Sequence, residues 1–459
     1  MRFIIKSTCA YVCCLLLSQF ALADDDADKQ PIASAPFEIP QATLTLDQAL
    51  ALALSGNPGL SAMQARARAL ADVPSQVGAL PDPTLSLGAL SLPTDTFSWS
   101  QEAMTQKRLG IGLTLPFPGK LGLREAVAEL QAQTGEFDVA EKKLVLARSV
   151  RFVWWNLVYV DHAISLVQRN RSLLREFVKI AEAKYKTGQG MQSDVLLAQV
   201  ELSKMLEREI ALHAARRNQA AALNALLARP AQSEVHMPAQ VDENLPIPLA
   251  LSPLIEAAKL NRPFLATRRN SVEVASLRAH LAEKDYYPDF RLGAAYGFRD
   301  GNNPNGSTRA DMTSLTLSIN LPIFVASRQR KALSQRHNEM QKEEYSLQDS
   351  LLQVQTEIEQ ALVDFHVASE QASLYKSGII PQSSQAASSM LASYQVNKVD
   401  FLNLVRAQIT LYNYEAQYWK TISSAWQAWA RLQAAVGVAP ESLFHKDAAL
   451  INNKDNSHE

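Results

Sequence analysis

Leu109-Gly110-Ile111-Gly112-Leu113-Thr114-Leu115-Pro116-Phe117-Pro118-Gly119-Lys120-Leu121 changes its periodicity partway along. Up to Leu115, large apolar residues alternate with small or polar ones, the period of two that marks a strand with one apolar face. Pro116 and Pro118 then fix φ and Gly119 permits a reversal. From Lys120 to Lys184 there is no proline, and only Gly122 and Gly135 interrupt good helix formers. At ~1.5 Å per residue this is on the order of 100 Å of helix, more than a compact domain needs. Val150, Val153, Trp154, Leu157 and Val158 recur at helical spacing, so the helix carries an apolar stripe that packing must cover. Residues 194–227 read as a second helix running back beside it.

The same order of signals occurs twice. Leu315-Thr-Leu317-Ser-Ile319-Asn-Leu321-Pro322 repeats the strand and its proline, and a second long helical stretch follows, with a kink at Gly378 to Pro381. Asn57-Pro58-x-Leu60 opens a helical stretch that ends in Leu80-Pro81-Asp82; Arg262-Pro263-x-Leu265 opens another that ends in Tyr287-Pro288-Asp289. Tyr185-x-x-Gly188, Asp194 and Ala198-Gln199 answer without a gap to Tyr394-x-x-Asn397, Asn403 and Ala407-Gln408. The chain therefore reads as a tandem duplication: a first unit at 44–228 and a second at 253–437, with a proline-rich linker at 229–252. Each unit holds a helix, two strands and a long helical hairpin. Strands are expected at about 83–92, 107–116, 289–298 and 312–321, and long helices at 120–184, 194–227, 327–394 and 400–436. The fold class is mainly α with a small β part.

Outside the repeats, Arg2 and Lys6 precede an apolar run from Cys9 to Leu17, and Ala21-Leu22-Ala23 supplies a small-x-small cleavage site. Residues 1–23 read as a secretory signal, 24–43 as a flexible segment and 438–459 as a polar tail. All three cysteines, Cys9, Cys13 and Cys14, fall inside the signal, so the exported chain has no disulfide or thiol chemistry. Lys+Arg 45 balances Asp+Glu 46, which excludes a generally basic nucleic-acid binder. No His-Glu-x-x-His, Cys-x-x-Cys, phosphate-cradling glycine loop or Gly-x-Ser-x-Gly is present. His162, His213, His280, His337 and His366 stand singly on helices, and His445 with His458 in the tail makes a poor metal site. Catalytic, cofactor and metal residues are expected to be none.

Four short alternating strands admit two readings: hairpins with one face on a soluble core, or part of a transmembrane barrel. Four strands alone cannot close a barrel, and lipid does not tolerate open edges, so the second reading demands several copies. A periplasmic coiled-coil adaptor or scaffold would use the helical hairpins but leave the strands and the duplication unexplained.

The duplicated element order, the Pro-Asp lead into each first strand, the Leu-Pro exits at Leu115 and Leu321 and the Tyr-x-x-Gly/Asn turns together resemble the TolC-like outer-membrane efflux channels of Gram-negative bacteria. The resemblance covers about 44–437, and Leu115 to Leu121 is similar to the heavy-metal efflux members at this junction. It implies a homotrimer with a shared 12-stranded barrel among outer-membrane lipids and a tapered periplasmic tunnel of helices. It also implies a passive duct for an inner-membrane pump of the resistance-nodulation-division type, bridged by a periplasmic adaptor (membrane fusion) protein. Tyr185, Gly188, Tyr394 and Asn397 then mark the periplasmic tip and adaptor dock. Asp194, Asp400, Asn403 and Arg406 are the constriction candidates. Some family members guard that mouth with two carboxylates one turn apart; here the matching positions hold Asn403 and Arg406, with Asp400 one turn earlier. The resemblance thus leaves a mixed Asp400/Arg406 ring, ion-paired across helices, against a plain solvated surface.

Overall fold

The computed structural model describes residues 43–437; the signal, the segment before Thr43 and the polar tail lie outside them. The chain opens with α1 (Leu46–Gly56), α2 (Pro58–Ala71) and a short α3 (Val73–Gly78). Thr45 caps α1 by a reciprocal pair of bonds with Gln48, at 3.3 and 3.1 Å. Asn57 ends α1 and caps α2: its Oδ1 accepts from the Leu60 amide at 3.1 Å, while Pro58 occupies the first turn, where no donor is needed.

Then come β1 (Thr84–Leu90), β2 (Gln106–Leu115), α4 (Lys120–Lys186) and α5 (Gln192–Leu226). The second repeat runs α6 (Leu251–Asn261), α7 (Pro263–Lys284), β3 (Phe290–Phe298), β4 (Met312–Ile319) and α8 (Gln329–Leu374). A π-turn at Tyr375–Ile379 follows, then α9 (Ile380–Gln395) and α10 (Phe401–Val436). Where the sequence reads as a helix over 327–394 kinked at Gly378 to Pro381, the structure has three segments. Pro381 has no amide for the ladder, and the extra residue of a π-turn is accommodated just ahead of it.

The helices hide their stripes against one another in three apolar cores. In the first, Ala49, Ala53 and Leu60 lie against Leu146, Val150, Trp154 and Leu157. In the second, Leu254, Ala258 and Leu265, the duplicates of those first three, lie against Ile358, Phe365 and Trp429. The third joins the lower hairpins: Leu174, Phe177 and Ala198 of the first repeat meet Tyr394, Phe401, Leu404 and Tyr412 of the second. Burial of such side chains is worth roughly 1.5–3 kcal/mol each, so these seams hold the long helices side by side. Among the described residues no helix is long and apolar enough to cross a membrane.

The four strands form one sheet in the order β1-β2-β3-β4, every pair antiparallel. The β2–β3 pairing joins the two repeats, and it leaves β1 and β4 as edges.

Candidate functional site

The sheet has two chemically different faces. Leu87 stands opposite Leu109, Leu109 opposite Tyr296 and Tyr296 opposite Thr313. The next rows are Leu85, Ile111, Ala294 and Leu315, then Leu113, Leu292 and Leu317. This face has nothing over it: Leu87 is 79% exposed and Leu315 84%. The other face carries Thr84, Ser86, Gly88, Gly110, Gly112, Gly293, Gly297, Ser314, Thr316 and Ser318, small or polar apart from Leu90 and Met312 at the end toward the hairpin loops. A bare aliphatic face is unfavourable in water and suited to lipid, while small polar side chains suit a water-filled interior. Of the four strands, β2 with ten residues and β3 with nine reach the ~9–11 that a tilted strand needs to span a bilayer, and β1 with seven and β4 with eight approach it.

At the far end of the sheet the two hairpin loops are tied together. Lys107 pairs with Asp300 at 2.7 Å, and Arg309 donates to the carbonyls of Ser100 and Glu102 at 3.1 and 2.9 Å.

At the near end, the passage from β2 into α4 packs on the lead into β3. Phe117 stacks on Tyr287 with centroids 4.5 Å apart, and its amide donates to Asp289 at 2.8 Å. Lys120 is 3% exposed, with Nζ 3.0 Å from Asp285 and 3.1 Å from Asp289. In the sequence Lys120 marks only the start of the long helix. The repeated Pro-Asp ahead of each first strand was the signal that an acid waits there. The matching passage out of β4 has no such cover: Leu321, Ile323 and Phe324 are all exposed.

The opposite end of the molecule is built from two reversals with one hydrogen-bond pattern. In the first, the Gly188 amide donates to Tyr185 O at 3.0 Å and Gln189 to Lys184 O at 2.8 Å. In the second, Asn397 donates to Tyr394 O at 3.2 Å and Lys398 to Ser393 O at 2.9 Å. Both are Schellman closures, which require a left-handed residue; Gly188 has φ 72° and Asn397 φ 59°. The tyrosines at matched positions fare differently. Tyr185 is 48% exposed, whereas Tyr394 is 4% exposed and packs on Phe401 at 5.3 Å. Among the described residues the Tyr394 hydroxyl has no hydrogen-bond partner, and burial followed by the charge of Asp194 pushes its pKa up.

Lys184, at the end of α4, supplies the difference. Its ammonium donates to Tyr394 O at 2.6 Å and to the Asn397 side-chain oxygen, and lies 4.3 Å from the centre of the Tyr394 ring. A first-repeat cation thus caps the last carbonyls of second-repeat α9, where the helix end is negative. The duplication holds Ser393 at the position matching Lys184.

Asp194 is half-buried between the hairpins. Asp400 at the cap position and Asn403 and Arg406 in the first turns of α10 are all exposed. Among the described residues neither Asp400 nor Arg406 makes an ion pair within the chain. The ion pair across helices, one of the two readings the resemblance leaves open, is not made among the described residues of a single copy.

Midway along the hairpins the linker touches the helices through Glu243. Its carboxylate accepts from the Tyr418 hydroxyl at 2.5 Å and pairs with Lys376 of the π-turn at 2.9 Å. Burial pushes Glu243 up, but these two bonds and the nearby charges outweigh it and hold the group below the usual glutamate range. His162 stacks on Trp419 beside this cluster, and burial lowers its pKa against the pull of Glu243 and Asp161.

The family model described as "Outer membrane efflux protein" matches the chain twice, at residues 49–229 and 254–438. The cobalt-zinc-cadmium resistance protein CzcC of Cupriavidus metallidurans is 22% identical over 92% of this chain and 96% of its own. The alkaline protease secretion protein AprF of Pseudomonas aeruginosa is 22% identical over 71% and 68%. The crystal structure of the outer membrane protein VceC from Vibrio cholerae superposes with a TM-score of 0.70 at 19% identity, covering 85% of this chain and 96% of that one.

Proposed function

The chain belongs to the outer membrane efflux protein family and is an outer-membrane efflux channel; from that premise we propose that three copies form the passive exit duct of a tripartite export system for divalent metal ions. The observation that carries the trimer is the sheet: a bare apolar face, a small and polar opposite face, and two unpaired edges. Three copies would give 12 strands, remove the edges and enclose the polar face. The helical hairpins would then continue the lumen into the periplasm. The duct has no energy source of its own, so an inner-membrane pump of the resistance-nodulation-division type drives it through a periplasmic adaptor.

The reversals at Tyr185 to Gly188 and Tyr394 to Asn397 are the adaptor's dock in this reading. Asp400, Asn403 and Arg406 line the mouth in this reading, and with no ion-pair partner among the described residues Asp400 and Arg406 meet between copies. Metal ions are the preferred cargo because CzcC, named for cobalt, zinc and cadmium resistance, matches over nearly its whole length. The Leu115 to Leu121 junction supports the same choice. AprF is named for secretion of a protease, so the cargo is decided in cells. Light scattering of the detergent-extracted protein is expected to give a trimer. Deleting the gene is expected to sensitise cells to cobalt, zinc or cadmium before antibiotics. A monomer overturns the duct assembly, and unchanged metal tolerance overturns the cargo.

A further inference from the structure

The polar face of the sheet carries charge of one sign. Followed row by row through the strand pairings, it holds two charged side chains, Arg108 on β2 and Arg291 on β3, and no Asp or Glu on any row. Among the described residues neither guanidinium has an ion pair or a hydrogen bond. Their rows lie six residues apart along β3, roughly 20 Å.

The two arginines differ in surroundings. Arg108 stands between Gly88 on β1 and Gly297 on β3. A Cβ added at Gly88 would meet no atom within 4 Å, so the space on that side is open; at Gly297 it would meet the side chain of Gln106, an uncharged amide. The acids nearest the top of the sheet are engaged elsewhere or lie beyond it. Asp300 holds Lys107, and Asp311 accepts from the Arg299 amide and the Tyr296 hydroxyl. Asp95 and Glu102 stand in the hairpin loop, outside the strands. Arg291 lies opposite Thr114, and the register of β1 on β2, extended by two residues, sets the exposed Asp82 on that same row. Arg291 thus has an acid at its own level, and Arg108 has none.

We propose that Arg108 is the charge-selecting residue of the barrel. Three copies place its guanidinium groups in one ring inside the lumen, which then passes anions in preference to cations. Rings of Arg or Lys give pores an anion preference as rings of Asp or Glu give a cation preference. Walls of low dielectric focus the field of such a ring. Screening confines it to on the order of 10 Å at 0.1 M salt, so it acts on an ion as that ion passes. Arg291 adds a weaker ring, offset by Asp82. The inference rests on the duct reading and adds a substrate class to it: a bare divalent cation meets a barrier at Arg108, and the same ion carried in an anionic complex does not.

The test is the reversal potential of the detergent-extracted protein in planar bilayers, under a potassium chloride gradient centred near ~0.1 M to limit screening. The wild type is expected to reverse on the chloride side of zero. Arg108→Gln should bring the reversal close to zero, Arg108→Glu should carry it past zero, and Arg108→Lys should keep the wild-type sign. Arg291→Gln should shift it less than Arg108→Gln. The periplasmic mouth stands in series with the barrel, so a second measurement is local to the barrel. Citrate added on the side that the hairpin loops face should reduce the wild-type current and leave the Arg108→Gln current unchanged. Light scattering of each variant checks that it assembles as the wild type does. A conducting trimer whose wild type favours potassium overturns the inference and leaves the duct standing. So does one in which Arg108→Gln changes neither the reversal potential nor the citrate response. A monomer, or a trimer that does not conduct, overturns the duct reading, and the inference falls with it.

Discussion

The two helical hairpins share a reversal and share little else. Both close with the same pair of backbone bonds around one left-handed residue. Yet α4 runs unbroken for 67 residues, while the corresponding rise in the second repeat is split by a π-turn. Tyr185 stands in solvent and Tyr394 is buried. An apolar core joins the two hairpins, but the second takes a cap from Lys184 of the first and a mid-height anchor from Glu243 of the linker. Duplication preserved what the backbone requires and left side chains free to make one hairpin hold the other. The second hairpin is thus the one whose position depends on contacts that can be released.

The sharpest way to break that comparison is Lys184→Met, which keeps the stem and removes the cation. It leaves the last carbonyls of α9 and the Asn397 side chain without their donor. The expected cost is about 1–3 kcal/mol of local stability. It should appear as faster hydrogen exchange over 393–400, with the turn at Gly188 unchanged. Equal loosening of both turns would end the claim that the first hairpin caps the second.

Next in size are the left-handed residues. An added Cβ at Gly188 meets nothing within 4 Å, so Gly188→Ala tests backbone strain alone and should cost about 1 kcal/mol. Asn397→Gly removes that strain but also the side-chain oxygen that receives Lys184, so it should gain less than strain relief alone would give. Thermal unfolding of the pair measures the difference. A stabilisation by Asn397→Gly as large as the loss from Gly188→Ala would mean that the Lys184 contact contributes nothing.

These dependencies were not legible in the sequence, for a physical reason. The strands, the long helices and the reversals are local patterns, and period, proline and Tyr-x-x-Gly/Asn spacing carry them. Lys184 reads as a cation complementing the end of its own helix, because its acceptors are about 210 residues away. Lys120 likewise reads as solvated until the sheet brings Asp285 and Asp289 to it. Gly378 and Pro381 announce an interruption, yet only the structure shows it to be a π-turn held by a linker carboxylate. Tyr185 and Tyr394 are the same letter in the same motif, so no local pattern could separate their burial.

Glu243→Gln addresses the anchor, and its effect depends on pH. A carboxylate held below its ordinary value stabilises the fold at neutral pH, and that contribution is lost as pH falls below about 4.3 toward the folded value. His162, lowered mainly by burial, acts in the same sense from about pH 6.5 downward, because the unfolded chain takes up the proton first. The wild-type protein should therefore lose mid-height protection at Tyr375 to Ile379 on acidification, in two stages. Glu243→Gln should abolish the lower stage and, by removing a charge that pulls His162 up, leave the upper stage at least as large, with a neutral-pH loss below about 1 kcal/mol because the site is partly exposed. A variant that still shows both stages would remove Glu243 from the anchor.

The smallest effect on stability, and the most direct on transport, is expected at the mouth of the second hairpin. Asp400 and Arg406 are exposed and form no ion pair among the described residues, so Asp400→Ala and Arg406→Ala should each change unfolding by under about 0.5 kcal/mol. If the two groups meet between copies at the constriction, each variant should raise single-channel conductance in planar bilayers. The double variant should raise it no further than the larger single, because a pair is lost once. Raised salt should narrow the gap between wild type and variants, since an exposed pair is screened. Unchanged conductance in both single variants would return these residues to an ordinary solvated helix face. The asymmetry of the two hairpins would then rest on Lys184 and Glu243 alone.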